Sequence, residues 1–118
     1  MKEFMLVFRR DADAAKVRMS PQEYQSTMKQ WQDWIGDLTQ KGRLSATGKR
    51  LSMEGAVLKP GNTVTNGPYV ETKEALVGYA FVNAASIDEA KQLAKGCPNI
   101  AMGGTVEVRP VWSDDKES

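Results

Sequence analysis

Leu76-Val77-Gly78-Tyr79-Ala80-Phe81-Val82 carries no charged side chain, and the run reads as a β-strand. Successive side chains of a strand alternate between its faces. Leu76, Ala80 and Val82 are therefore expected on one side and Val77, Tyr79 and Phe81 on the other. Both sides are apolar, as in a strand covered on both faces at the centre of a sheet. Lys2 to Arg9 has the same character, with Phe4, Leu6 and Phe8 facing one way and Met5 and Val7 the other. These two strands form the predicted middle of the sheet.

Between them, Ser20-Pro21-Gln22-Glu23 combines an N-cap serine, a proline in the first turn and a glutamate three residues after the cap. A helix is predicted to start there. Tyr24, Met28, Trp31, Ile35 and Leu38 follow at spacings of 4, 3, 4 and 3, which places one apolar stripe on a single helical face. Gly42 suits a left-handed cap at the far end. Asp11 to Met19, without a settled period, reads as a connecting loop. Ser86-Ile87-Asp88-Glu89 repeats the capping pattern, and Ile87, Ala90, Leu93 and Ala94 give a second stripe that ends before Gly96 and Pro98.

Leu44 to Leu51 reads as another strand, weakened by Gly48. Ala56 to Lys59 and Thr63 to Thr65 flank Pro60-Gly61-Asn62, the composition of a turn, and predict a β-hairpin. Thr105 to Trp112 supplies the last strand, with Val106, Val108 and Trp112 on one face and Glu107 and Arg109 on the other. One domain over residues 1–112 and a polar tail at 113–118 follow from this layout.

The order β, α, β, hairpin, β, α, β is that of an α+β ferredoxin-like fold with one hairpin inserted. Two helices cover only one face of such a sheet. Met5, Val7, Tyr79 and Phe81 then remain on the other, and burying each such side chain is worth about 1.5–3 kcal/mol. A second copy of the chain is the simplest cover. The alternative is that the hairpin and the tail fold back over that face.

Composition narrows the function. Of the 118 residues, 41% are hydrophobic and 26% charged, the balance of a folding globular chain. A net charge of +1 gives no general field for nucleic acid or an acidic membrane surface, so neither is an expected partner. The apolar stretch Phe4 to Phe8 is far shorter than the ~20 residues of a membrane span. The single cysteine, Cys97, forms no intrachain disulfide. It fits a reducing compartment, and a cytoplasmic location is expected. Histidine is absent, which removes the commonest general base and metal ligand. No cofactor motif or metal-ligand spacing occurs, so no cofactor and no metal are expected.

Asn66-Gly67-Pro68-Tyr69-Val70-Glu71-Thr72-Lys73-Glu74 resembles the D-G-P-F-x-E-T-K-E signature of the DGPF branch of the YCII-related family. The similarity continues through Gly78-Tyr79, Cys97-Pro98 and Gly103-Gly104-Thr105-Val106-Glu107-Val108-Arg109-Pro110-Val111. It covers almost the whole chain. The resemblance implies a ferredoxin-like domain that dimerises into an α+β barrel, and it implies no particular reaction. A distant branch of the family is thought to use a His-Asp pair. Some DGPF members are encoded beside, or fused to, extracytoplasmic-function sigma factors. Here Asn66 stands in place of the usual aspartate, Tyr69 in place of phenylalanine, and Met102 where many members carry histidine. A histidine-based mechanism is therefore excluded for this chain alone.

Glu71, Lys73 and Glu74 place two carboxylates and an ammonium within four residues, beside a Gly-Pro turn. In a pocket, Glu71 or Glu74 could serve as a general base while Lys73 holds an anion. The competing reading is a set of ion pairs and caps that pin the loop. Arg109 could bind a carboxylate or phosphate through its planar fork, or form a salt bridge to Glu71, Glu74 or Glu107. Gly67 and Pro68 either set the shape of the turn or contact a ligand, and Tyr69 either stacks on a ligand or anchors packing. Met28, Trp31 and Trp34 are expected in core or dimer packing rather than against a ligand. Cys97 follows a helix C-terminus, which disfavours a thiolate, so no nucleophilic role is expected.

The expected function is binding, or binding and transformation, of a small molecule in a pocket near the sheet and the dimer interface. Glu71, Lys73, Glu74 and Arg109 would rim that pocket, with Gly67, Pro68 and Tyr69 beside it. The alternative is a non-catalytic regulatory module linked to an extracytoplasmic-function sigma factor.

Overall fold

The computed structural model describes residues 1–15, 18–66 and 74–113, and of Thr65 and Asn66 the backbone only. In chain order the elements are β1 (Lys2–Asp11), α1 (Ala12–Ala15), α2 (Pro21–Gln40), β2 (Leu44–Ala46) and β3 (Ala56–Lys59). After these come β4 (Thr63–Asn66), β5 (Glu74–Ala84), α3 (Ile87–Ala94), α4 (Pro98–Ala101) and β6 (Thr105–Pro110). The fold is α+β. Its main sheet has the order β2-β5-β1-β6, and every neighbouring pair is antiparallel. The two strands that are apolar on both sides, β1 and β5, occupy the centre.

Local chemistry sets the ends of the helices. Ser20 Oγ accepts from the Glu23 N–H at 3.2 Å and Glu23 returns a carboxylate oxygen to the Ser20 N–H at 3.1 Å, closing a capping box at the start of α2. At the other end Gly42 takes φ +69°. Its N–H donates to Thr39 at 3.0 Å and that of Arg43 to Leu38 at 2.8 Å, the paired bonds of a Schellman cap. Ser86 caps α3 by accepting from the Glu89 N–H at 3.2 Å, while the Glu89 carboxylate accepts from the Ala85 N–H at 3.1 Å.

The core lies between one face of the sheet and the helices. Phe4, Leu6 and Phe8 of β1 meet Trp34 and Leu38 of α2, with Val82 of β5 and Ala90 and Ala94 of α3 in the same cluster. Alanines at the contact let α3 approach the strands closely. Trp34 Nε1 donates to the Leu93 carbonyl at 3.2 Å and ties the two helices together. On the opposite face Met5, Tyr79 and Phe81 are half-buried. The shortest dimension is 19 Å, enough for one helical layer on one sheet.

Four sequence expectations change. Asp11–Met19 is not all loop, because the Asp11 carboxylate accepts from the N–H groups of Asp13 and Ala14 at 2.9 and 3.1 Å and starts the single turn α1. The second strand stops at Ala46 rather than Leu51, although the chain keeps touching β5 through the Arg50–Gly78 bridge. In β5, Phe8 pairs with Gly78 but Arg9 with Leu76, so Val77 is a surplus residue at a bulge. This reverses the expected faces near the strand's start: Val77 is buried in the core, whereas Leu76 is 42% exposed. The last strand ends at Pro110, leaving Trp112 exposed instead of beside Val106 and Val108.

α4 has no counterpart in the sequence reading. Its Asn99 is fully buried and donates Nδ2 to the Arg9 carbonyl at 3.1 Å and to the Thr105 carbonyl at 2.8 Å. One amide thus fastens β1, opposite the bulge of β5, to the start of β6. A Cβ at Gly104 would lie 2.5 Å from that Nδ2 and 2.4 Å from the Arg9 oxygen. Gly104 therefore serves packing, while Gly103 supplies a left-handed turn at φ +85°.

β3 and β4 form a separate two-stranded sheet, turned by Gly61 at φ +84° and Asn62 at φ +64°. The cross-strand pair Leu58 and Val64 is 77% and 57% exposed, so the described hairpin does not fold its apolar side chains back over the main sheet. Consistent with a projecting arm, the radius of gyration is 15.8 Å, against about 13.5 Å for a compact chain of this length.

Candidate functional site

The apolar stripe of α2 closes against the sheet only at its C-terminal end, where Trp34 and Leu38 are buried. Toward the N-terminus Tyr24 and Met28 stand away from the strands. The gap beneath them is a cavity of about 460 Å³, within the range of small-molecule sites. Tyr24, Met28, Trp31 and Ile35 roof it, Phe8, Val77 and Gly78 form its floor, and Thr47 to Arg50 make one side. Trp31 stands on Phe8 with ring centroids 5.1 Å apart and on Trp34 at 5.8 Å, so the inner wall is a packed aromatic cluster.

The side wall depends on two glycines. Gly48 lies against the Tyr79 carbonyl, and Gly78 leaves room for the Lys49 carbonyl, 3.0 Å from where a Cβ would stand. Backbone bonds from Tyr79 N–H to Lys49 at 3.2 Å and from Leu51 N–H to Val77 at 2.9 Å hold the segment in place.

Cations meet at the outer edge of this chamber. Arg10 continues the core-facing register of Phe4, Leu6 and Phe8 and pairs across the sheet with buried Ala75. Arg10 and Arg50 both line the chamber, and both line an adjoining cavity of about 350 Å³ that runs on to Ala15 and Met53. Lys49 adds a third positive charge, and no carboxylate lines either cavity among the described residues. Burial, and after it the charge of Arg50, holds the Arg10 guanidinium below its ordinary value.

The residues singled out from sequence are distributed otherwise. Gly67, Pro68, Tyr69, Glu71 and Lys73 lie outside the described residues. Glu74 opens β5 opposite Asp11, and Arg109 sits on β6 opposite Met5. Those positions are six residues apart along β1, which is about 20 Å. Glu74 and Arg109 therefore do not converge within one chain. Arg109 takes the salt-bridge alternative, with its Nη1 3.3 Å from Glu107 Oε2. Arg9 grips the other oxygen of the same carboxylate. Hydrogen bonds from Arg9 first and Arg109 second hold the Glu107 carboxyl below the usual range.

Met28, Trp31 and Trp34 all line the chamber, and Trp34 is at the same time buried in the core. Cys97 has the expected inert thiol, for a different reason. It precedes the first turn of α4, whose N–H groups favour a thiolate, but burial dominates and pushes the thiol up to about 11.

Arg10 and Arg50 were not picked out from sequence. Arg10 had a legible signal, a charge in the same register as three core aromatic and aliphatic side chains. Arg50 had none, since its approach depends on Gly48 and the bulge.

The fold and the chamber define a small α+β domain with an antiparallel sheet, helices on one face, and an apolar cavity between the first long helix and the strands. The chain belongs to the YCII-related domain family, whose profile matches residues 3–114. It is also similar to an uncharacterized protein of Rhizobium meliloti (strain 1021), at 43% identity over 49 residues, 41% of this chain. That match spans 40% of the relative's own length.

Proposed function

We propose that this chain is a small-molecule-binding protein that works as a homodimer, holding its ligand in the chamber between α2 and the sheet. The observation that carries the reading is the chamber itself: a roughly 460 Å³ apolar space walled by Phe8, Met28, Trp31 and Ile35. A ligand seated there would take this apolar lining out of contact with water, which favours binding.

The ferredoxin-like description with an inserted hairpin is supported by the element order and by the sheet order β2-β5-β1-β6. A dimeric α+β barrel, in which two sheets pack through their helix-free faces, is supported by the half-buried apolar flank of Met5, Tyr79 and Phe81. In this arrangement the chamber lies on the far side of the sheet from the dimer contact. Binding is preferred over catalysis because the chain has no histidine and no described carboxylate lines the chamber.

Nuclear magnetic resonance with neutral 1-naphthol tests the binding site. Resonances of Met28, Trp31 and Gly48 should shift saturably, and the filling variant Met28→Trp should abolish the shifts. No saturable shift at millimolar 1-naphthol would count against the chamber as a ligand site. Sedimentation tests the assembly: the parent should run as a dimer at micromolar concentration and Phe81→Asp as a monomer. A monomeric parent would remove the barrel.

The second reading, a module acting on an extracytoplasmic-function sigma factor, is favoured only by the projecting Leu58 and Val64. A sigma factor should then co-purify with the parent and be lost with Leu58→Ser. Equal recovery with both proteins would exclude the hairpin as that contact.

A further inference from the structure

The geometry points to an organic anion as the ligand, a carboxylate or similar head held by Arg10 and Arg50 with an aromatic or branched apolar body against Met28, Trp31 and Phe8. This inference rests on the chamber being the binding site and adds the chemical class of its occupant.

Arg10 projects from the core-facing side of β1, where an arginine is costly unless its charge is answered. Its Nε is sequestered from solvent and has no hydrogen-bond acceptor among the described residues. Three other arginines, Arg9, Arg43 and Arg109, are answered from within the chain. Arg9 and Arg109 share Glu107, and Arg43 reaches Glu89 at 2.6 Å. No described ion pair engages Arg10 or Arg50, the two that meet at the chamber. They form the boundary between the larger and the smaller cavity, so an anion bound there would touch both guanidiniums at once.

Two unanswered guanidiniums repel each other, and one carboxylate between them replaces repulsion with charge-assisted hydrogen bonds. Burial is the first cause of the lowered proton affinity of Arg10, and the charge of Arg50 adds to it. An inorganic anion would satisfy the charges and leave the aromatic walls empty, whereas a neutral apolar molecule would do the reverse. Only a molecule with both parts uses the whole site.

Isothermal titration with 1-naphthylacetate and with its neutral isostere 1-naphthylacetamide reads the two contributions separately. The acid should bind at least tenfold more tightly than the amide at low salt. Arg10→Gln should lower acid affinity at least tenfold and leave amide affinity within twofold. Arg50 is exposed, so Arg50→Gln keeps the test valid if the Arg10 variant folds poorly, and it should weaken the acid in the same direction. Equal binding of acid and amide, unmoved by either substitution, would overturn the anion assignment and leave the chamber as an apolar site. Failure of both compounds to bind would overturn the assignment together with the chamber.

Discussion

The carbonyl oxygen of Tyr79 occupies the space in which a side chain at Gly48 would begin: a Cβ there would lie 1.5 Å from that oxygen. The segment from Thr47 to Arg50 can flank β5, and so wall the chamber, only because residue 48 is bare.

Gly48→Ala should therefore push this segment off β5. Two backbone hydrogen bonds go with it, those of Tyr79 N–H to Lys49 and Leu51 N–H to Val77. With the displaced packing, the loss should be about 2–4 kcal/mol. Urea denaturation measures it, and the variant should also fail to bind 1-naphthylacetate. A variant with parental stability would show that the close approach is not maintained in solution.

Asn99→Asp keeps the shape of the side chain but replaces a double donor with a carboxylate facing two carbonyl oxygens. The Arg9 and Thr105 carbonyls lose their bonds at 3.1 and 2.8 Å, and a buried charge is added. A loss of about 3 kcal/mol or more is expected at pH 7. Thermal unfolding should show a smaller deficit in acid, where the carboxyl can bind a proton and become a donor again. A constant deficit from pH 7 to pH 4 would contradict this account.

Cys97 is 2% exposed and its thiol is pushed up to about 11. At pH 8 about one molecule in a thousand then carries the reactive thiolate. Ellman's reagent should modify the native protein only slowly and the chain in guanidinium at once. Rapid stoichiometric modification of the native protein would show that the thiol is open.

Glu107 provides the pH signature. Its carboxyl is held below the ordinary range, so the folded protein binds this proton less readily than the unfolded chain. The resulting stabilisation is complete above the ordinary glutamate value of about 4.3 and is lost as the pH falls through the folded value. Glu107→Gln should be slightly less stable than the parent at pH 7, with the difference shrinking on acidification. The effect is small because the carboxylate side chain is 39% exposed and screened by solvent. A difference that grows in acid would reverse the assigned sign.

The parts of the fold legible in the sequence are those written in local chemistry. Ser20, Glu23 and Gly42 mark both ends of α2, and Pro60-Gly61-Asn62 marks the hairpin turn. The alternation in β1 also reads correctly along its length. Strict alternation failed in β5 because a bulge is set by pairing with β1, and nothing in Leu76-Val77-Gly78 declares which residue is surplus. α4 was hidden because Pro98 two residues after Gly96 reads as a stop, whereas here the proline begins a new turn. The emphasis on Glu74 and Arg109 came from composition and resemblance. The chamber depends instead on where α2 parts from the sheet, a distance that no periodicity encodes. Arg10 alone could have been noticed, as a cation keeping step with Phe4, Leu6 and Phe8.

The surplus residue at Val77 makes the chamber floor sensitive to chain length. Removing one residue between Ala75 and Gly78 would restore a regular ladder in which Phe8 keeps Gly78 and Arg10 keeps Ala75. The residue left opposite Arg9 would share its outward face, so the floor would lose the buried side chain that Val77 now gives it. Related chains that differ by a single insertion or deletion at this point would thus keep the same outline while presenting another floor to whatever they bind.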